Sequence, residues 1–132
     1  MLDVRDERWA EIPPAPDRAA EDRPAPPACG IRVLRHEDWS AILLRGELDL
    51  ESQGRLVREL RAELRRGRPV IVELAGLDFT DVNGIRALQR MVAQAASLTP
   101  PVPIELHGAR GQVADLIARL GLERLLEPAS PV

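Results

Sequence analysis

The sequence predicts an α/β protein: a single mixed, mostly parallel β-sheet with an antiparallel edge strand, packed by α-helices in the order β-β-α-β-α-β-α-α. Three observations carry this. Residues 69–74 (Pro-Val-Ile-Val-Glu-Leu) are a near-continuous apolar run, the pattern of a parallel-sheet strand covered on both faces. Segments 52–66, 83–98 and 110–120 repeat apolar residues at helical spacing. Strand-like and helix-like segments alternate with short connections, which implies parallel neighbours joined by right-handed crossovers.

The 132 residues, 45% of them hydrophobic, suffice for one domain with its own core; a chain of this length buries roughly two thirds of its unfolded surface. The first 30 residues stand apart. They hold six of the twelve prolines (Pro13, Pro14, Pro16, Pro24, Pro26, Pro27) among Ala, Asp, Glu and Arg. Such a segment cannot bury enough apolar surface to offset its ordering entropy, so residues 1–30 are expected to be a disordered or polyproline-like arm, 31–127 the folded domain and 128–132 a tail.

From residue 31 the elements follow in order. Residues 31–35 carry branched side chains at Ile31 and Val33, and 39–45 are a second, more apolar run; His36-Glu37-Asp38 is the hairpin turn between them. In 52–66, Leu56, Val57, Leu60 and Leu64 share one face opposite arginines and glutamates, Ser52 is the expected N-cap, and Gly67 ends the helix. The strand 69–74 is followed by a strand-to-helix turn over 75–84. Ile85, Leu88, Val92 and Ala95 define the next helix, with Met91 as core filler and Phe79 expected in the core. Thr99-Pro100-Pro101 stops it. Residues 102–107 alternate as an edge or terminal strand, since they contain Pro103. Val113, Leu116, Ile117 and Leu120 mark the third helix, and 122–127 a last helical turn or two, halted by Pro128.

Composition excludes several functions. Net charge is −3, all 18 basic residues are arginine, and Trp9, Trp39 and Phe79 are the only aromatics. A nucleic-acid binder shows a basic excess and stacking aromatics, so no direct nucleic-acid partner is expected; the arginine, alanine and proline usage points to a GC-rich bacterial genome. No stretch approaches the roughly 18 apolar residues of a membrane span, and the charged residues 1–10 do not resemble a signal peptide, so the expectation is a soluble cytoplasmic protein. The lone Cys29, a loosely packed thiol in the arm, and two separated histidines supply no zinc set. No Gly-x-Gly-x-x-Gly or Walker loop is present. None of Ser40, Ser52, Ser97 and Ser130 sits on a strained elbow, and His107 has no evident catalytic partner. Glu47, Asp49, Asp78 and Asp81 fall along one predicted sheet edge, where acids commonly cap helices and turns. Neither cofactor nor catalysis is expected. Arg86 and Arg90, one turn apart, are expected to be exposed.

Two segments carry a recognisable pattern. Gly46-Glu47-Leu48-Asp49-Leu50 follows the second strand. Leu77-Asp78-Phe79-Thr80-Asp81-Val82-Asn83-Gly84 follows the third, about thirty residues later. Together, with the matching element order, they resemble the STAS domain of bacterial anti-sigma factor antagonists over about residues 31–127. That resemblance implies a regulatory protein that binds a GHKL-type serine kinase acting as an anti-sigma factor, releases the sigma factor, and is itself phosphorylated on a serine or threonine just after the motif aspartate. Asp81 matches that aspartate and Gly84 the motif glycine. The acceptor positions are Val82 and Asn83, neither of which can take phosphate; Thr80 is the nearest alternative hydroxyl. The implied contact residues are Glu47, Asp49, Asp78, Thr80, Asp81, Val82, Asn83, Gly84 and Arg86. An alternative is a STAS accessory subunit of an ABC-type lipid transporter or of a signalling scaffold, and a homodimer is left open.

Overall fold

Four strands and three helices follow the predicted order in the computed structural model, which describes residues 29–126. The expected arm, apart from Cys29 and Gly30, and the tail lie outside the described residues. The elements are β1 (Cys29–Arg35), β2 (Ser40–Leu48), α1 (Leu50–Leu64), β3 (Val70–Thr80), α2 (Val82–Ala96), β4 (Ile104–His107) and α3 (Gly111–Arg119), with a closing 3-10 helix at Glu123–Leu126. The sheet order is β1-β2-β3-β4. β1 pairs antiparallel with β2 at one edge, and β2, β3 and β4 are parallel. The predicted fold class is therefore the one found.

β1, β2 and β3 are longer than expected, β3 most of all, whereas β4 is shorter, starting at Ile104 rather than at residue 102. β3 continues through residues 75–80, which the sequence places in a turn. The reason is local irregularity: Leu43 pairs with Glu73 but Arg45 with Gly76, and Gly46 pairs with Leu77 but Glu47 with Phe79. β3 thus carries two more residues than β2 over this stretch, and such bulges break the alternation that marks a strand. They also correct the expectation for Phe79, which is 45% exposed rather than in the core. Cys29 is corrected the other way: it is buried at the start of β1.

One face of the sheet carries the main core. Ile42, Leu44, Val70, Val72, Leu74, Ile104 and Leu106 meet Leu56, Leu60 and Leu64 of α1, Ile85, Leu88, Met91 and Ala95 of α2, and Val113 and Ile117 of α3. A fully buried Leu or Ile side chain stabilises by about 1.5–3 kcal/mol, so these helical stripes hold the layers together. The opposite face carries a smaller cluster of Trp39, Ala41, Leu43 and Ile71, with Leu34 packed against it.

Glu63, on α1, is a buried charge with a full set of partners. Its carboxylate accepts from Ser40 Oγ at 2.7 Å and from Arg35 Nε at 3.0 Å, and Arg35 Nη2 lies at 2.9 Å. This ties α1 to the start of β2 and the end of β1. Burial pushes the Glu63 carboxyl upward, but the Arg35 and Ser40 hydrogen bonds and the Arg35 charge outweigh it and hold the group below its ordinary value. A carboxyl depressed in the folded state contributes stability that is present above the unfolded pKa of about 4.3 and is lost as pH falls through the folded value. Urea denaturation at pH 5 and pH 3 should therefore show a fall in midpoint that is smaller in Glu63→Gln than in the native chain.

Candidate functional site

The two sequence motifs meet at the carboxyl end of the sheet. Because β2 and β3 are parallel neighbours, Glu47 pairs with Phe79 and Leu48 with Thr80. Each strand leads directly into a helix, so α1 and α2 begin side by side above this strand pair.

Both helix starts are capped by an aspartate. The expected N-cap of α1 was Ser52; the cap is Asp49, and the helix begins at Leu50. Asp49 Oδ1 accepts from Ser52 N at 2.8 Å, and Asp49 N donates to Ser52 Oγ at 2.8 Å. This is a reciprocal capping box with the acid and hydroxyl exchanged from the usual order. The Ser52 backbone and side-chain hydrogen bonds hold the Asp49 carboxyl below the usual carboxylate range. Asp81 caps α2, accepting from Gly84 N at 2.9 Å. The same oxygen, Asp81 Oδ1, accepts from Gln53 Nε2 at 3.0 Å. Gln53 is buried on α1, so one carboxylate oxygen joins the first turns of both helices.

Gly84 sits on the strand pair beneath. A Cβ there would lie 1.9 Å from Thr80 Oγ1 and 3.1 Å from Leu48 Cδ2. Only a residue without a Cβ lets α2 start this close to the sheet. Thr80, the alternative acceptor, is fully buried and donates its hydroxyl to Asp81 O at 3.1 Å. Its backbone is held by Gln112 of α3: Thr80 N donates to Gln112 Oε1 at 3.1 Å and Gln112 Nε2 donates to Thr80 O at 2.9 Å. This side-chain amide takes the place of a neighbouring strand where β4 has ended. Arg110 adds a hydrogen bond to Ala75 O at 2.6 Å and an exposed ion pair to Asp78 at 3.4 Å. The Gln112 pair, at about 1 kcal/mol per hydrogen bond, outweighs an exposed ion pair worth at most about 1 kcal/mol.

The site presents apolar side chains outward among polar ones. Among the described residues, the large hydrophobics left exposed are Leu50 at 80%, Phe79 at 45%, Val82 at 39% and Leu98 at 38%. The first three belong to the two motifs. Glu47, Asn83 and Arg86 are exposed beside them in sequence, and Arg90 is exposed one turn further along α2. Of the residues singled out from sequence, the fold brings Glu47, Asp49, Asp78, Thr80, Asp81, Val82, Asn83, Gly84 and Arg86 to one end of the sheet. Thr80 and Gly84 are buried, and Asp49 and Asp81 spend hydrogen bonds on helix caps. Leu50, Gln53 and Gln112 were missed. For Gln53 a signal existed, since extending the Leu56, Leu60, Leu64 stripe one step back puts a polar residue at a core-facing position.

A family model described as "Mlab, STAS domain" matches residues 31–127. The chain belongs to the STAS family. Solved structures agree on the STAS fold. An anti-sigma factor antagonist from Mycobacterium paratuberculosis aligns with a TM-score of 0.65 and 21% identity, over 78% of this chain and 86% of that one. The anti-sigma factor antagonist SpoIIAA in its unphosphorylated form aligns with a TM-score of 0.61 and 19% identity, over 77% and 90%. SLC26A9 contains a similar unit, with a TM-score of 0.53 and 17% identity, covering 65% of this chain but 16% of that much longer one. Among curated proteins, no sequence matches. Among the described residues no helix is long and apolar enough to cross a membrane.

The close approach of α2 to the strand pair gives the STAS site a direct test. Gly84→Ala should destabilise by about 1–3 kcal/mol, the usual range for overpacking, as read from the urea midpoint. Gly54→Ala, in α1 with nothing within 4 Å of the added methyl, should stabilise by about 0.5–1 kcal/mol. Equal effects at the two glycines would contradict the packing described.

Proposed function

We propose that this STAS protein is a non-catalytic regulatory module that binds an anti-sigma factor of the GHKL-type serine-kinase class through the carboxyl end of its sheet, and that this binding is not switched by phosphorylation at the family position. The observation that carries the reading is the placement of Leu50, Phe79 and Val82. Three of the four exposed large hydrophobics among the described residues fall in the two motifs. Exposed apolar side chains gathered at one place, framed by polar residues such as Glu47, Asn83 and Arg86, mark a protein contact surface.

The site's polar groups support a structural rather than a chemical use. Asp81 Oδ1 is occupied by Gly84 N and Gln53, Asp49 by Ser52, and the Thr80 hydroxyl by Asp81 O. Val82 opens α2, the position next to the motif aspartate. A phosphate there would add about −1.5 to −2 charge to a surface that must lose water on binding. Valine instead adds apolar area to that surface. Thr80 is a poor substitute acceptor, because reaching its hydroxyl would require lifting the start of α2 off the sheet. A bacterial, cytoplasmic setting fits the partner class.

A second reading is a STAS accessory subunit of an ABC-type lipid transporter or of a signalling scaffold. The match to a 16% portion of SLC26A9 favours it, since there the same fold is one part of a larger chain.

A pull-down from native cell extract separates these readings. The wild-type chain should retain a GHKL-type kinase equally with and without ATP. Leu50→Asp and Phe79→Asp, both at exposed positions, should each weaken retention at least about tenfold, the loss of a contact worth about 1.4 kcal/mol. Val82→Ser should make retention ATP-sensitive. Retention of a transporter ATPase would establish the second reading instead. Unchanged retention by both Asp variants, or labelled phosphate on Thr80 of the native chain, would overturn the first.

A further inference from the structure

The outward side of α1 carries a ridge of arginine. Arg58, Arg61 and Arg65 are all exposed. At 3.6 residues per turn they fall within an arc of about 60°, on the side opposite the core-facing Leu56, Leu60 and Leu64. Along the helix axis they span about 10 Å at 1.5 Å per residue. Every residue three or four positions from one of them is glycine, proline, apolar or another arginine. Among the described residues, none of the three makes an ion pair.

A solvated helix face is usually charged in another way. Acids and bases alternate along it, so that side chains one turn apart attract. On this ridge the neighbours repel, which weakens the helix. The glutamates that could relieve the repulsion point elsewhere: Glu63 is buried against Ser40 and Arg35, and the Glu59 charge acts on Arg35. The helix dipole favours cations only near the last turn. It accounts for Arg61 and Arg65 but not for Arg58. Residues 55–68 hold six arginines against two glutamates in a chain whose net charge is −3, so positive charge is gathered here rather than spread.

We propose that this ridge docks the protein on an anionic lipid bilayer, with Arg58, Arg61 and Arg65 against the headgroup phosphates. A specific protein interface sets an apolar centre inside its polar rim. Among the described residues, none of the exposed large hydrophobics lies between Arg58 and Arg68, and the outer side of a helix is convex. A plane of anionic headgroups requires neither a pocket nor an apolar centre, because its surface potential alone attracts clustered arginines. Arg66 and Arg68 extend the patch past the helix end, although Arg66 also meets Glu63 at 3.7 Å and Arg68 donates to His36 O. Nucleic acid carries phosphate too, but residues 55–68 include no aromatic side chain on which a base could stack. Leu50 precedes Arg58 by about 12 Å of helix, so the carboxyl-end surface stays open to a protein partner while the ridge faces lipid. The docking does not depend on which partner that surface takes.

The test is co-sedimentation of the full chain with vesicles of equal parts phosphatidylglycerol and phosphatidylcholine, and with vesicles of phosphatidylcholine alone. The expected result is binding to the anionic vesicles only. Raising the salt from about 0.1 M to about 1 M, which shortens the screening length from about 10 Å to about 3 Å, should release the protein. Replacing Arg58, Arg61 and Arg65 together by glutamine should weaken binding at least about tenfold, since each arginine near such a surface is worth about 1 kcal/mol. The corresponding triple lysine variant, which keeps the charge, should still bind, and Leu50→Asp should bind as the native chain does. All three positions are exposed, so the urea midpoints of both triple variants should match the native one. Equal binding to both kinds of vesicle, no binding to either, or unchanged binding by the glutamine variant would overturn the proposal. So would loss of binding in the lysine variant, or stronger retention by duplex DNA than by anionic vesicles at equal phosphate.

Discussion

A single oxygen, Asp81 Oδ1, holds the working end of this molecule together. It accepts from the Gly84 amide within its own helix start and from the Gln53 side chain of the neighbouring helix. Two motifs about thirty residues apart become one surface through that bond and the strand pair below it. The parallel pairing of β2 with β3 sets Leu48 beside Thr80, the α1 crossover returns the chain over the same face, and Gly84 lets α2 settle onto both strand ends. Asp49 and Ser52 fix the first turn of α1, and Gln112 clamps the last residue of β3 from the far side. Buried Ser52, Gln53 and Thr80 hold the joint from within, while Leu50, Phe79 and Val82 stand exposed among polar residues, as a contact surface built on two helix starts requires.

The hydroxyl missing from the family position takes its meaning from this geometry. On the proposed reading, the residue that follows the capping aspartate at the start of the helix is exposed within the contact surface, where a phosphate would break an interface. Val82 keeps the position and the exposure but replaces a switchable group with apolar area. On that reading the scaffold is retained without the family's switch, and control of partner binding comes from elsewhere. The buried Thr80 hydroxyl, part of the joint itself, cannot inherit that role without disturbing α2.

The broad fold was legible because its signals are periodic. Leu56, Leu60 and Leu64, then Ile85, Leu88 and Ala95, mark two helices by spacing alone, and the Val-Ile-Val run marks the central strand. What the sequence concealed was non-periodic. Two bulges carry β3 on to Thr80 and turn Phe79 outward. The α1 cap is Asp49 rather than Ser52, since the hydroxyl answers the acid from inside the helix. Cys29 belongs to a strand rather than to the arm. At the site the motif residues were found by their pattern, whereas Gln53 and Gln112 act across gaps of 28 and 32 residues, a relation no local signal records. Leu50 counted only as the end of the Gly46–Leu50 motif, because a helix expected to start at Ser52 left it in the preceding turn, whereas it is the first residue of α1.

The joint at Asp81 is tested most directly by a double-mutant cycle on folding stability, using Gln53→Ala, Asp81→Ala and the pair together. If Gln53 and Asp81 lock the two helix starts, the double variant should lose less than the sum of the single losses, with a coupling of at least about 0.5 kcal/mol. Losses that add to within about 0.3 kcal/mol would show that the two helix starts are held independently, and would contradict the account of the two motifs as one surface.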